Sequence, residues 1–198
     1  MYKFDDSIPS SPVNDYMNVG IHENVELISY EYRVSSNGNK FIELIFANSF
    51  GEKLTHTEWE PKDPNPEKVN DKVINQATRF RYMLTSLLPG ENVSFEFANF
   101  EDFASKIIGI LKAKYKGQKV RVKVVFNNKN YTTLPNYLKV TWIESMNIPK
   151  EESRITIIEK IDKMVKETPS EVTTSENPFS AEPQAVVPTP QSTNESPF

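Results

Sequence analysis

Between Lys119 and Val124 the sequence alternates cation and valine without interruption, as Lys119-Val120-Arg121-Val122-Lys123-Val124. A strand turns successive side chains to opposite faces, so the valines pack on a core while Lys119, Arg121 and Lys123 form a row of charge on the other side. Lys112, Lys114 and Lys116 precede the row, and Lys129 and Tyr131 follow it. Rows of this kind hold phosphate backbones by displacing counterions, without reading bases. Tyr115, Tyr131, Tyr137, Trp142 and, further upstream, Trp59 are the aromatics available to stack unpaired bases. The same row also reads as a solvated sheet face beside a helix end, with lysines guarding an edge strand against aggregation. The surrounding charge favours binding: residues 103–143 hold nine Lys or Arg and no acid.

Other chemistries are poorly provided for. The chain has no cysteine, which removes disulfides, thiol nucleophiles and zinc sites built on thiolates. His22 and His56 are its two histidines. His56-Thr57-Glu58 matches one half of a nucleobase-deaminase signature, but the cysteine pair of the other half is absent, and alternating residues of a half-exposed strand are the simpler reading. Glu43, Glu58, Glu60 and Asp63 have no spacing that converges them on a metal pair. The six glycines form no phosphate-cradling loop. The expectation is a protein that binds rather than catalyses, with no cofactor and no metal.

Charge also divides the 198-residue chain, whose net charge is −4. From Thr168 to Phe198 there are four glutamates, no Lys or Arg, and six of the fourteen prolines, so the remainder is neutral overall. That composition has too little apolar surface to offset the entropy of ordering and reads as a disordered acidic tail over 168–198. No apolar run approaches the length of a membrane span, and Asp5 and Asp6 stand where a secretory leader would be apolar. A soluble protein of the cytoplasm, with no membrane partner, is expected.

The elements that must position the cations follow from periodicity. Residues 1–17, with Pro9, Pro12 and several serines, read as a flexible arm. Val25–Tyr32, Phe41–Asn48 and Lys53–Trp59 read as a three-stranded meander joined by turns at Asn37-Gly38 and Gly51. Tyr30, Tyr32, Phe41 and Phe46 are expected in its core. Asp71–Leu88 carries Val73, Ala77, Phe80, Leu84 and Leu87 at helical spacing, and a second helix is capped by Asn99 and ends near Lys116-Gly117. Val93–Phe97 is a short strand candidate between them. Lys119–Asn127 and Leu138–Glu144 close the domain, which spans 18–147. Ile155, Ile158, Ile161 and Val165 predict an amphipathic helix within 148–167.

Three runs, Ile21-His22-Glu23-Asn24-Val25-Glu26-Leu27, Leu54-Thr55-His56-Thr57-Glu58-Trp59-Glu60-Pro61 and Lys116-Gly117-Gln118-Lys119-Val120-Arg121-Val122-Lys123, resemble small single-stranded DNA-binding proteins of tailed phages. The resemblance covers roughly residues 20–145 and implies an α+β, mainly β fold: a small oligonucleotide-binding (OB-like) antiparallel barrel, here with two inserted helices. The ending Glu195-Ser196-Pro197-Phe198 is similar to the tails of bacterial and phage proteins of this kind, which implies that Glu195, Pro197 and Phe198 dock replication or recombination partners.

Together these point to sequence-independent coating of single-stranded DNA during phage replication or recombination. Lys112, Lys114, Lys119, Arg121, Lys123 and Lys129 would hold phosphates, and Trp59, Tyr131 and Tyr137 would stack bases. The alternative from another class is a structural or adaptor protein of a virion or replisome whose basic face docks an acidic protein. The sheet edge and the helix within 148–167 each offer a route to a homo-oligomer.

Overall fold

Strand β1 (Gly20–Val34) is long enough to serve two partners, and this organises the fold. Its second half pairs antiparallel with β2 (Lys40–Ala47), and its first half pairs antiparallel with β4 (Val120–Phe126). Between the halves the register shifts from His22 to Val25, where Asn24 takes a left-handed conformation with φ of 56°. A bulge of this kind bends a strand and lets one ribbon turn the corner of a barrel. The structure, a computed structural model, describes residues 15–166; the expected arm up to residue 14 and the whole expected tail over 168–198, with Glu195, Pro197 and Phe198, fall outside them.

The meander forms as its turns require. Ser35 and Asn39 close the β1–β2 hairpin with Gly38 at φ 73°, and Asn48 and Gly51 close the next turn into β3 (Lys53–Trp59). The strand order is β3-β2-β1-β4-β5, where β5 is Thr132–Thr133, and β6 (Ile143–Ser145) adds to β4. The result is a nearly closed antiparallel barrel carrying two helices, a small OB-like α+β fold. No backbone ladder joins the ends of that order; instead His56 Nδ1 on β3 lies 3.0 Å from Thr133 Oγ1 on β5.

Period-two burial shows which face points inward. Ile42, Leu44 and Phe46 of β2 and Val120, Val122 and Val124 of β4 are fully buried, and Tyr30 and Tyr32 pack partly against this core. On β3 the inward series is Leu54, His56 and Glu58, all buried, so two polar side chains occupy core positions near the seam. The strand alternates between buried and exposed positions as expected, with His56 and Glu58 on its inward face.

Helix α1 (Pro66–Leu87) starts five residues earlier than its apolar stripe indicates. Asn65 accepts the Glu67 N–H and Pro66 occupies the first turn, a start set by capping rather than by hydrophobic contact. Helix α2 (Phe100–Lys114) is capped by Asn99, whose side chain accepts the Asp102 N–H while Asp102 accepts from Ala98. Phe80, Leu84 and Leu87 of α1 and Phe103, Ile107 and Leu111 of α2 enter the core. Val93–Phe97 forms no strand; Phe95 and Phe97 pack their rings against Phe103 instead.

The helix expected within 148–167 is replaced by something else. A single 3-10 turn, Lys150–Glu152, precedes an irregular segment that crosses the barrel. Its anchors are polar: Glu144 accepts the Arg154 N–H, Asp162 accepts the Ile158 N–H, and the Phe126 N–H donates to the Lys163 carbonyl. Of the isoleucines behind the helical reading, Ile155 is buried, but Ile161 remains half exposed.

Candidate nucleic-acid interface

The irregular segment changes what β4 can do. Val120, Val122 and Val124 face the core as expected, yet Arg121 and Lys123 are also buried, because 143–166 covers the face opposite. Arg121 is held by Glu23 and Glu144. Lys123 Nζ donates to Asp162 Oδ2 and to Tyr137 Oη, each at 2.8 Å. Lysine and arginine are almost never fully buried unless paired, and here both are. Arg121 and Lys123 are therefore structural cations, which corrects their assignment as phosphate contacts.

Of the remaining sequence-derived cations, only Lys129 lies at the end of β4 that carries the exposed aromatics, in the same turn as Tyr131. Lys112 and Lys119 are exposed near the start of β4, and Lys114 is paired with Glu91 at 2.5 Å. Lys129 is exposed in the turn after β4. Tyr115 is spent internally: its hydroxyl accepts the Leu27 N–H and donates to the Gln118 carbonyl. Trp142 is 1% exposed and lies edge-on to Tyr82.

The other three aromatics converge at the opposite end of β4, on the seam between β3 and β5. Trp59, 49% exposed, leans on Phe41 with ring centroids 4.6 Å apart. It stands between two open clefts that share Thr57, Trp59, Phe126, Asn127 and Thr133 as walls. One cleft, of about 630 Å³, runs between β3, α1 and the 134–137 loop and includes Tyr137. The other, of about 690 Å³, carries Tyr16 and Tyr131, both about two-thirds exposed. Lys62, Lys72, Arg79, Lys163 and Lys166 line the two clefts; Glu60, Asp63 and Glu58 pair with the first three, so the clefts keep a modest positive excess.

No protein-family model matches the chain, and no curated protein is significantly similar to it.

The floor of the first cleft is a buried polar network. Glu58 receives Arg79 in a two-pronged bond, Nε to Oε1 at 2.9 Å and Nη2 to Oε2 at 2.7 Å. Gln76 donates to Glu58 Oε2 and to the Trp59 carbonyl, and His56 Nε2 lies 3.2 Å from Glu58 Oε1. Burial pushes the Glu58 carboxyl up, but the bonds from His56 and Arg79 outweigh it and hold it well below the ordinary carboxylate range. The network fixes α1 to β3 beneath the cleft. Glu58 is thus committed to structure, and among the described residues no group of three or more His, Asp or Glu side chains could hold a metal ion.

Sequence reasoning located Trp59, Tyr131 and Tyr137 but missed Tyr16 and the cations at Lys62, Lys72, Arg79 and Lys163. Period two offered one usable signal: extending the inward series from Leu54 through His56 to Glu58 places a carboxylate inside, which demands a buried cation from a neighbouring element. Arg79 meets that demand.

Proposed function

We propose that this protein binds single-stranded DNA along the two clefts at the β3–β5 seam, as a non-enzymatic strand-coating protein of phage replication or recombination. The observation that carries the reading is the grouping of three exposed aromatics, Tyr16, Trp59 and Tyr131, on open, electropositive clefts of an OB-like barrel. Base–aromatic stacking beside a cationic groove is the general means of holding single strands without sequence readout. OB-folds bind oligonucleotides with the face of strands 2–3 and adjoining loops, to which Trp59 on β3 and Tyr131 in the β4–β5 loop correspond. The resemblance of the three sequence runs to phage single-stranded DNA-binding proteins supports the same conclusion. Recruitment of replication or recombination proteins by 168–198 belongs to the proposal as well.

The test is fluorescence anisotropy of the purified chain on labelled oligo-dT and on a duplex of equal length, at low and high salt. Preference for the single strand with a steep salt dependence supports the proposal. Equal or absent binding to both overturns it. Exposed Lys112, Lys116 and Lys119 lie apart from the aromatic clefts and make no ion pair among the described residues, which favours the second reading, an adaptor docking an acidic protein there.

A further inference from the structure

We propose that the cleft between β3, α1 and the 134–137 loop reads the edge of an unpaired base, making binding base-selective instead of uniform along the strand. This rests on the strand-binding reading and assigns its specificity.

The two clefts differ in chemistry. The one with Tyr16 and Tyr131 adds exposed aromatic faces, on which any base stacks, beside Asn18, Asn127 and Asn130, of which Asn127 accepts the Lys129 and Tyr131 N–H groups at its Oδ1. The other is lined with amides: Asn75 and Gln76 from α1, Asn128 from the turn after β4, and Asn136 from the 134–137 loop. A side-chain amide presents a donor and an acceptor side by side, which matches the paired donors and acceptors on base edges. Unpaired bases are read in this way where their edges are accessible.

Two cations of this cleft make close contacts within the protein. Arg79 is spent on Glu58, and Lys72 donates to Asp63 Oδ2 and to the Lys62 carbonyl, each at 2.9 Å. In contrast, the exposed side chains of Asn75 and Asn136 bond to no described residue. These two amides are therefore hydrogen-bonding capacity left for a ligand.

Tyr137 supplies a rigid wall beside them. Its hydroxyl is fixed between Asp162 Oδ1 at 2.5 Å and Lys123 Nζ at 2.8 Å, and its carbonyl accepts the Trp142 indole N–H at 3.1 Å. Arg79 Nη1 reaches the Asn136 carbonyl at 3.5 Å, tying the loop to α1. A base against the Tyr137 ring thus meets amides whose backbones are held on two sides.

The experiment titrates the full chain with 12-mers of dT, dC and dA by anisotropy, alongside the N75A/N136A variant. The wild type is expected to show affinities spread by about fivefold or more, as one good bidentate contact confers. The variant is expected to bind all three within about twofold at an unchanged salt slope, since only edge contacts are removed. N75S/N136S repeats the test if the alanine variant melts at a lower temperature. Equal wild-type affinities overturn the proposal. So does a spread that survives in the variant, which would place the preference in stacking. Failure of the wild type to bind any of the three overturns the strand-binding reading itself.

Discussion

Lys123 Nζ and Asp162 Oδ2 meet at 2.8 Å with both side chains wholly shielded from solvent. The pair joins the middle of β4 to a segment 39 residues later that has no regular structure of its own. Burial pushes the Asp162 carboxyl up, while bonds from Lys123, Tyr137 and the Ile158 N–H bring it below its ordinary value. Removing one partner strands a buried charge, which costs about 3–5 kcal/mol, whereas replacing both by apolar groups of similar size is often neutral. K123M and D162A are each expected to lower urea-unfolding stability by that amount, and K123M/D162L to recover most of it. A double variant as unstable as the sum of the singles would show that the pair is not the anchor.

Acid should unfold the protein through the same kind of group. Glu58 and Glu144 are both raised by burial and more strongly lowered by their hydrogen bonds, from His56 and Arg79 in one case and from Ser153 and Arg121 in the other. A carboxyl whose folded value is depressed contributes stability that is complete above its unfolded value, about 4.3 for Glu, and is lost as pH falls below it. The melting temperature is expected to hold from neutrality to about pH 5 and then fall steeply, as carboxylates of this kind behave. E58Q, which cannot ionise, is expected to be less stable at pH 7 and to lose less on acidification. An equal slope in wild type and E58Q below pH 5 would remove Glu58 from the account.

On the alkaline side the sign reverses. Burial pushes the Tyr115 hydroxyl up to about 12, and burial with the Asp162 hydrogen bond pushes Tyr137 up as well. A group with a raised folded value keeps its full stabilising contribution below its unfolded value, about 10 for tyrosine, and loses it as pH rises through the folded value. Absorbance at the tyrosinate band should therefore show Tyr115 and Tyr137 ionising late, with stability declining between about pH 10 and 12. Y115F leaves the Leu27 N–H and the Gln118 carbonyl without their partner and should cost about 1–3 kcal/mol at neutral pH.

Trp59 is a built-in reporter. Of the two tryptophans, Trp142 is 1% exposed and Trp59 is 49% exposed, so quenching by a bound strand should come from Trp59. W59A and Y131A are each expected to weaken oligo-dT binding by about 1–3 kcal/mol, the scale of one stacked base. Oligonucleotide quenching that persists undiminished in W59F would move the strand away from the seam.

Much of the fold was legible because it rests on short-range rules. The Asn37-Gly38 hairpin, the Asn99 cap and the valine series of β4 each declare themselves within a few residues. The errors arose where a distant segment decides. Arg121 and Lys123 look solvent-facing by alternation, and only Glu23 and Glu144 on the strands beside β4, with Asp162 from the later segment, make them internal. The isoleucines after Ser153 have helical spacing, yet the N–H groups of Arg154 and Ile158 find carboxylates at 144 and 162 instead of a helix ladder. The candidate site suffered in the same way. Its aromatics could be named, but apart from Lys62, just after β3, the cations beside them come from α1 and the 160s, which no local pattern links to β3.

Where the strand lies can be decided by salt dependence. Each lysine that neutralises a phosphate adds about 0.7 to the slope of log affinity against log salt for a single strand. Lys62 and Lys72 line the amide cleft, whereas Lys112 and Lys119 sit near the far end of β4. K62A and K72A also free Glu60 and Asp63 from their ion pairs, adding repulsion to the lost attraction. A strand in the clefts should therefore lose affinity and slope with K62A/K72A and keep both with K112A/K119A. The reverse pattern would return the phosphates to the face that the charge sequence first indicated and leave the aromatic clefts without a backbone beside them.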